Sequence, residues 1–348
     1  MATVLVTGGS GFIGRNLIES LLFRGHRVRC LVRKPAANII LQDLGAELLI
    51  GDMHDHASLQ QAVAGCDVVY HLAGMTAAIN VADLMRVNRD GTANLATAIT
   101  TVPNPPRLLL VSSLAAAGPA ARGQIRIESD RPAPMSNYGR SKLAGEEEAI
   151  ERADKFPLTI IRPGCVFGPH DKALLALFQT IQRFRFHPVP GWRHPPLSWI
   201  YVDDLVEQMV LAAEKGERVP AAAARHPEEH IGEGVYFAAA AEHPSYADFG
   251  AMTRPMLRRP FMPVVPCPAP VSMFLASINE TFSWLRGKPD VFNRDKIREA
   301  LVESWACSHE KSQRQLGFEP AANLEQRVRD VIAWYQKKGW LWGGETAQ

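Results

Sequence analysis

The sequence predicts an α/β protein: a doubly wound parallel sheet with a smaller, mostly helical C-terminal lobe. Three observations point there. Apolar runs alternate with amphipathic stretches over the first 240 residues. Several runs, such as Val68-Val69-Tyr70 and Leu108-Leu109-Leu110-Val111, are apolar throughout, as strands covered on both faces must be. The first run, Val4-Leu5-Val6, ends in a glycine cluster from which a helical pattern (Leu17, Ile18, Leu21, Leu22) starts at once.

Taken in order, strand patterns fall at 3–7, 27–32, 46–50, 67–72, 107–112, 157–162 and 234–238. Helical patterns lie between them, clearest at 12–24, 57–64, 81–101, 136–153 and 203–214. His54-Asp55-His56 reads as a polar helix start, and Asp203-Asp204 as the acidic first turn of the segment it opens. After about residue 165 the composition shifts. The Pro- and Trp-rich stretch 186–196 reads as a loop, 216–233 as an exposed excursion, and the chain from about 242 as proline-interrupted helix. The expected division is a dinucleotide-binding unit over 1–169 and 199–240, and a substrate lobe over 170–198 and 241–348.

Composition narrows the function classes. At 348 residues, 47% hydrophobic and 21% charged, the chain has an ordinary globular balance and ample material for a core. A net charge of +2 from dispersed Lys and Arg gives no basic stripe for nucleic acid. The five cysteines are far apart and odd in number, which fits a reducing compartment and no zinc site or disulfide framework. Residues 1–7 already read as a strand, which leaves no room for a signal peptide, and no apolar run reaches the roughly 18 residues of a membrane span. A cytoplasmic location, with no metal, is the expectation.

The glycine cluster carries the first chemical signal. Gly9, Gly11 and Gly14 have the spacing of a dinucleotide-binding turn, with Gly8 at its entry. Such glycines permit the sharp turn, let a pyrophosphate approach the backbone, and let helix and strand pack closely. The phosphates would then meet the amide-rich start of the helix.

Tyr138 and Lys142 carry the second. On a helix, positions four apart share a face. A phenol has a pKa of about 10, and bringing it about 3 units lower takes roughly 4 kcal/mol, within the reach of two close positive charges. The apolar run 108–111 ends in Ser112-Ser113, and strand ends of this kind face the ligand crevice.

On these motifs the chain resembles the extended short-chain dehydrogenases/reductases, the NAD-dependent epimerase/dehydratase family. Further matching pieces are Gly51-Asp52-Met53, His71-Leu72-Ala73-Gly74, Asn88, Arg162-Pro163-Gly164-Cys165-Val166, and Tyr201-Val202-Asp203-Asp204. The resemblance implies a Rossmann fold and a set of roles. Phe12 and Ile13 cover the pyrophosphate, and Asp52 and Met53 bracket the adenine. Leu72, Ala73 and Gly74 line the nicotinamide side, and Asn88 anchors the helix beneath the site. Pro163 and Val166 pass near the carboxamide. Ser113 polarises the substrate oxygen, Tyr138 is the acid/base, and Lys142 holds the ribose and tunes Tyr138. Homodimerisation through helices at 81–101 and 136–153 is implied as well.

NAD enzymes carry an acidic residue about 20 residues past the turn. Here that position is Val32, followed by Arg33, which could grip a 2′-phosphate; the expectation is NADP(H), with NAD(H) as the alternative. Leu114 and Ala115 follow Ser113, where dehydratases of this family have Asp-Glu, and Leu197 occupies the slot of the epimerases' diphosphate-binding arginine. With Trp192, Trp199, Phe184 and Phe186 nearby, the chain is nearest the dihydroflavonol-reductase and 3β-hydroxysteroid-dehydrogenase branch. The expected activity is interconversion of a hydroxyl and a keto group on a bulky hydrophobic molecule; the alternative is a nucleotide-sugar epimerase with tightly held NAD. In segment 269–288, Val271, Phe274, Leu275, Ile278, Phe282 and Leu285 share a helical face, expected to close the small lobe, with peripheral membrane contact as the alternative.

Overall fold

The computed structural model describes residues 1–257 and 261–342. Its strands are β1 (Thr3–Thr7), β2 (Arg27–Val32), β3 (Glu47–Ile50), β4 (Val68–His71), β5 (Arg107–Val111), β6 (Leu158–Pro163), β7 (Cys165–Phe167), β8 (His187–Pro190), β9 (Trp199–Tyr201), β10 (Val235–Ala238) and β11 (Val264–Cys267). Seven of them form one sheet in the order β10-β6-β5-β4-β1-β2-β3, parallel at every pairing. The order reverses between β1 and β4, so the crevice at their C-terminal ends is the ligand site of a doubly wound sheet.

Alternation along each strand sets the two cores. Val4, Val6, Leu109 and Val111 pack on one face with helices Phe12–Phe23 and Val202–Lys215. Leu5, Val69, Leu108 and Leu110 pack on the other face with helices His56–Val63, Gly91–Thr100 and Asn137–Ile150. Burial on both faces explains why these strands carry no polar alternation. The chain returns to this sheet near its end: Cys307 packs with Phe237, and Leu316 and Phe318 enter the first core.

The helical stretch 81–101 is broken into Val81–Met85, a π-helical turn Arg86–Asp90, and Gly91–Thr100. The π turn holds Asn88 and sits where function later needs it. Asp55 caps helix His56–Val63, its side chain accepting from the Ala57 amide at 3.1 Å. Asp204 does more than open its helix: it is buried and paired with Arg327, fastening the C-terminal helix Leu324–Lys337 to the sheet domain.

Three expectations are corrected. Residues 187–190 are not loop but β8, paired in parallel with β11. The prolines are tolerated because this is a two-stranded ribbon, in which His187 and Gly191 supply the flanking amides to Pro263 and Cys267. The helix Ala269–Arg286 forms, but it does not bury its apolar face. Its buried residues are the small ones, Ser272, Ala276 and Ser283, while Phe274, Phe282 and Leu285 are at least half exposed. The helix packs against its neighbour Arg294–Ala300, and its large side chains are left facing outward. The excursion 216–233 is also not wholly exposed, since Val219 and Ala223 are buried in the second core.

Candidate active site

The glycine turn joins β1 to helix Phe12–Phe23 at the crevice. Gly8 takes φ +75°, and a Cβ there would lie 2.6 Å from the Ala73 nitrogen, so turn and β4 end approach too closely for any side chain. A Cβ on Gly14 would strike the Gly8 carbonyl at 2.4 Å, which accounts for the close packing of helix on turn. Over Gly11 only the Gly8 oxygen is near, at 3.3 Å. Gly11 is also the helix N-cap and has no side chain to satisfy the first amides. A backbone cradle with free amides at a positive helix end fits a dinucleotide pyrophosphate. Phe12 and Ile13 open the helix beside it.

The remaining expected cofactor positions surround the same crevice. Asp52 and Met53 follow β3; the Asp52 carboxylate accepts from the His54 amide at 2.9 Å, and Asn94 donates to the Met53 carbonyl at 2.9 Å. Leu72, Ala73 and Gly74 follow β4, tied to β1 by Leu72 N to Thr7 O at 3.1 Å and Ala73 N to Thr7 Oγ1 at 3.3 Å. Arg33 stands exposed just beyond β2, which ends in buried Val32. Pro163 and Val166 line the cavity described below.

Asn88 is the knot beneath the site. Its side chain accepts from Met75 N at 2.8 Å and donates to Met75 O at 2.9 Å and to Ser141 Oγ at 2.8 Å. One amide thus joins the loop after β4 to the helix that carries Tyr138. Under it runs a buried chain that motif reading did not single out. The Thr7 hydroxyl meets His71 Nδ1 at 2.7 Å, His71 Nε2 meets Thr92 Oγ1 at 3.0 Å, and Thr92 donates to the Asn88 carbonyl at 2.7 Å. Burial, with Lys142 adding to it, lowers the His71 pKa to about 3, so the ring is neutral.

Ser113 and Tyr138 line one cavity of about 1180 Å³ between the sheet edge and the C-terminal lobe. Most of its wall is apolar, with Leu174, Leu177, Trp199, Leu275 and Phe292 among the lining residues. Ser113 caps the short helix Leu114–Ala117, whereas Ser112 is buried with its hydroxyl unpartnered and does not line the cavity. Cys165 also faces the cavity, with burial holding its thiol above the ordinary range.

Burial pushes the Tyr138 phenol above its ordinary pKa; the Ser113 hydroxyl and the Lys296 ammonium pull it down, and Glu299 pushes it up. Lys142 is held elsewhere by its own partner. Its Nζ donates to the Val111 carbonyl at 2.8 Å, and burial, opposed by Glu146, brings its pKa down to about 8. Position i+4 puts the two side chains on one helix face, but Lys142 turns down toward β5 and Gly74. Lys296 comes from helix Arg294–Ala300, far along the chain. The preceding residue, Asp295, accepts from the Asn137 and Tyr138 amides at 2.8 and 3.4 Å. No local pattern links these positions; only the packing of the C-terminal lobe brings them together.

Residues 4–224 match the family model described as the NAD dependent epimerase/dehydratase family. A ceramide reductase of Caulobacter vibrioides is 29% identical over 338 residues, 97% of this chain and 96% of that protein. A 4-hydroxy-2-methyl-3-oxo-4-farnesyl-3,4-dihydroquinoline-1-oxide ketoreductase of Stigmatella aurantiaca is 34% identical over 217 residues, 61% of this chain and 64% of that protein. A 3-beta-hydroxysteroid dehydrogenase of Mycolicibacterium neoaurum is 27% identical over 96% of this chain and 92% of that protein. Among solved structures, gox2253 superposes with a TM-score of 0.75 at 25% identity, covering 98% of this chain and all of that one, 100%. MoeE5, solved in complex with UDP-glucuronic acid and NAD, shares the fold at a TM-score of 0.74 and 22% identity, covering 97% of this chain and 99% of that one. The glycine cradle, the doubly wound sheet and these matches together place the chain in the NAD-dependent epimerase/dehydratase family, as an NAD(P)-dependent oxidoreductase of the extended short-chain dehydrogenase/reductase type.

Proposed function

We propose that this oxidoreductase uses NADP(H) to interconvert a hydroxyl and a keto group on a bulky hydrophobic small molecule. The observation that carries the reading is the shape of the cavity: a large apolar chamber in which Ser113 and Tyr138 form part of the wall at the sheet edge. Apolar walls take up a hydrophobic substrate, and two hydroxyls can hold a single oxygen. Relatives named for ceramide, a farnesylated quinoline and a sterol skeleton support that substrate class. In this reading 1–169 and 199–240 hold the dinucleotide, and 170–198 and 241–348 shape the substrate chamber.

The glycine cradle would hold the pyrophosphate of a nicotinamide dinucleotide, whose chemistry is to supply or accept a hydride. Ser113 Oγ and Tyr138 Oη then bind the substrate oxygen, and Tyr138 gives or takes its proton. Lys142, fixed on Val111 O and cationic at neutral pH, holds the ribose edge near Gly74. Arg33 grips the 2′-phosphate, where a carboxylate at position 32 would repel it. Leu197, in the place of the epimerases' diphosphate-binding arginine, lines the cavity, which favours the reductase reading over a nucleotide-sugar epimerase. We further read the exposed Phe274, Leu275, Phe282 and Trp284, two of which also line the cavity, as the side from which a lipid-soluble substrate enters. A homodimer paired through the helices at 81–101 and 136–153 is what the family resemblance implies.

The test is direct. Purified protein is mixed with NADPH or NADH and a panel of long-chain, steroid and flavonoid ketones, and nicotinamide oxidation is followed at 340 nm. NADPH-dependent turnover that Tyr138→Phe abolishes, with NADPH still bound, is expected. Turnover unaffected by Tyr138→Phe, or activity confined to UDP-sugars, overturns the reading.

A further inference from the structure

The C-terminal lobe contributes charged side chains to the largely apolar cavity, among them Asp295, Arg298 and one close ion pair. Lys296 Nζ lies 2.8 Å from Glu299 Oε2, and both residues line the chamber that holds Ser113 and Tyr138. The two partners differ sharply. The Glu299 side chain is 8% exposed and that of Lys296 is 56% exposed. Glu299 Oε1 has no hydrogen-bond partner among the described residues. A buried carboxylate with one oxygen unpaired is costly unless it serves a cation held for a purpose.

The helix carrying the pair is pinned on three sides. Asn293 caps it, accepting from Lys296 N at 2.8 Å. Asp295 accepts from the first amides of the Tyr138 helix. The Trp305 indole donates to the Glu299 carbonyl at 2.7 Å. So the backbone at 296 is in register with Tyr138, and Glu299 limits where the ammonium can swing. An ammonium has three N–H donors, and Glu299 takes one in this structure. Among the described residues nothing takes the others, which can meet an oxygen in the cavity, beside the wall where the reacting oxygen would sit.

We propose that Lys296, braced by Glu299, binds a second acceptor oxygen on the substrate, close to the reacting one. Resting on the reading above, this narrows the substrate class. The preferred molecules are bulky apolar ketones or alcohols that carry a neighbouring carboxylate, ester, amide or hydroxyl oxygen. Lys296 is then a specificity residue, and Glu299 positions it.

The test compares a long-chain 3-oxo ester with the alkanone of equal length. The wild type prefers the oxo ester by about tenfold or more in kcat/KM, the size of a charge-assisted hydrogen bond. Lys296→Met brings that ratio toward one, Lys296→Arg restores much of it, and Glu299→Gln gives an intermediate value. Equal handling of both ketones by the wild type overturns the proposal. So does a ratio unchanged in Lys296→Met, or one that Arg fails to restore. Should neither ketone turn over, the comparison moves to binding, which tests this proposal apart from the reductase reading. The same ratio is then read as affinity, by quenching of Trp284 and Trp305, which line the cavity. Equal affinities overturn the role of Lys296 on their own.

Discussion

Asp295 Oδ2 lies 2.8 Å from the backbone nitrogen of Asn137, so a carboxylate from the C-terminal lobe sits on the opening turn of the helix that bears Tyr138. Ser136 Oγ already accepts from the Gly139 amide at 2.9 Å. Between them, Ser136 and Asp295 satisfy donors that a helix start otherwise leaves bare, and the charge suits the positive end of the helix dipole. The contact couples chamber to catalytic helix. Asp295→Ala is expected to cost about 1 kcal/mol of stability, in the range of a lost helix cap, and to raise KM for the ketone more than it lowers kcat. Denaturant titration and steady-state kinetics check both; an unchanged KM refutes the coupling.

The glycine cradle predicts a clean loss of cofactor binding. Gly8→Ala places a methyl 2.6 Å from Ala73 N at φ +75°, so either the turn or the end of β4 must move. NADPH affinity is expected to fall at least tenfold, measured by fluorescence titration. Gly25→Ala serves as control, since it also has positive φ but nothing within 4 Å of its Cβ.

Arg33 is expected to set the choice between the two nicotinamide dinucleotides. Arg33→Ser should cut the NADPH over NADH preference in kcat/KM by about tenfold or more, one charge-assisted contact to phosphate. Comparable rates with both cofactors in the wild type would refute the assignment.

The buried pair of Arg162 and Glu146, joined at 2.6 and 3.0 Å, links β6 to the Tyr138 helix. Removing one partner leaves the other charge buried alone. Arg162→Met is expected to destabilise the fold by about 3–5 kcal/mol, and the double change to Arg162→Met with Glu146→Leu by much less. Urea unfolding of the three proteins measures the difference.

His71 makes the fold acid-sensitive. Its folded pKa is lowered to about 3, against about 6.5 in the unfolded chain. The unfolded state therefore binds the extra proton first, and stability is full above about pH 6.5 and falls as the pH drops toward 3. The slope over that window should flatten in His71→Gln, which chemical denaturation at pH 7, 5.5 and 4.5 reads directly.

Local sequence determined a great deal here. The apolar runs, the glycine turn and the helix opening at Ser136 are settled by neighbours within a few residues, through φ freedom, periodicity and capping. Each strand pattern in the first 240 residues is found as a strand of the large sheet. Two elements misled the local reading for the same reason. Prolines at 188 and 190 signal loop, yet pairing with β11 makes a strand. The apolar stripe from 271 to 285 signals core, yet the helix buries the small residues Ser272, Ala276 and Ser283 and leaves the stripe outward. The candidate site divides in the same way. Ser113, Tyr138, Lys142 and Asn88 belong to local motifs. That Lys296 and Glu299 share the chamber with Tyr138 was decided by the docking of a helix more than 150 residues away in sequence: Asp295 lies 158 residues beyond Asn137. Contacts at that separation leave no periodicity in the chain, because they depend on the relative placement of two packed layers rather than on any residue's neighbours.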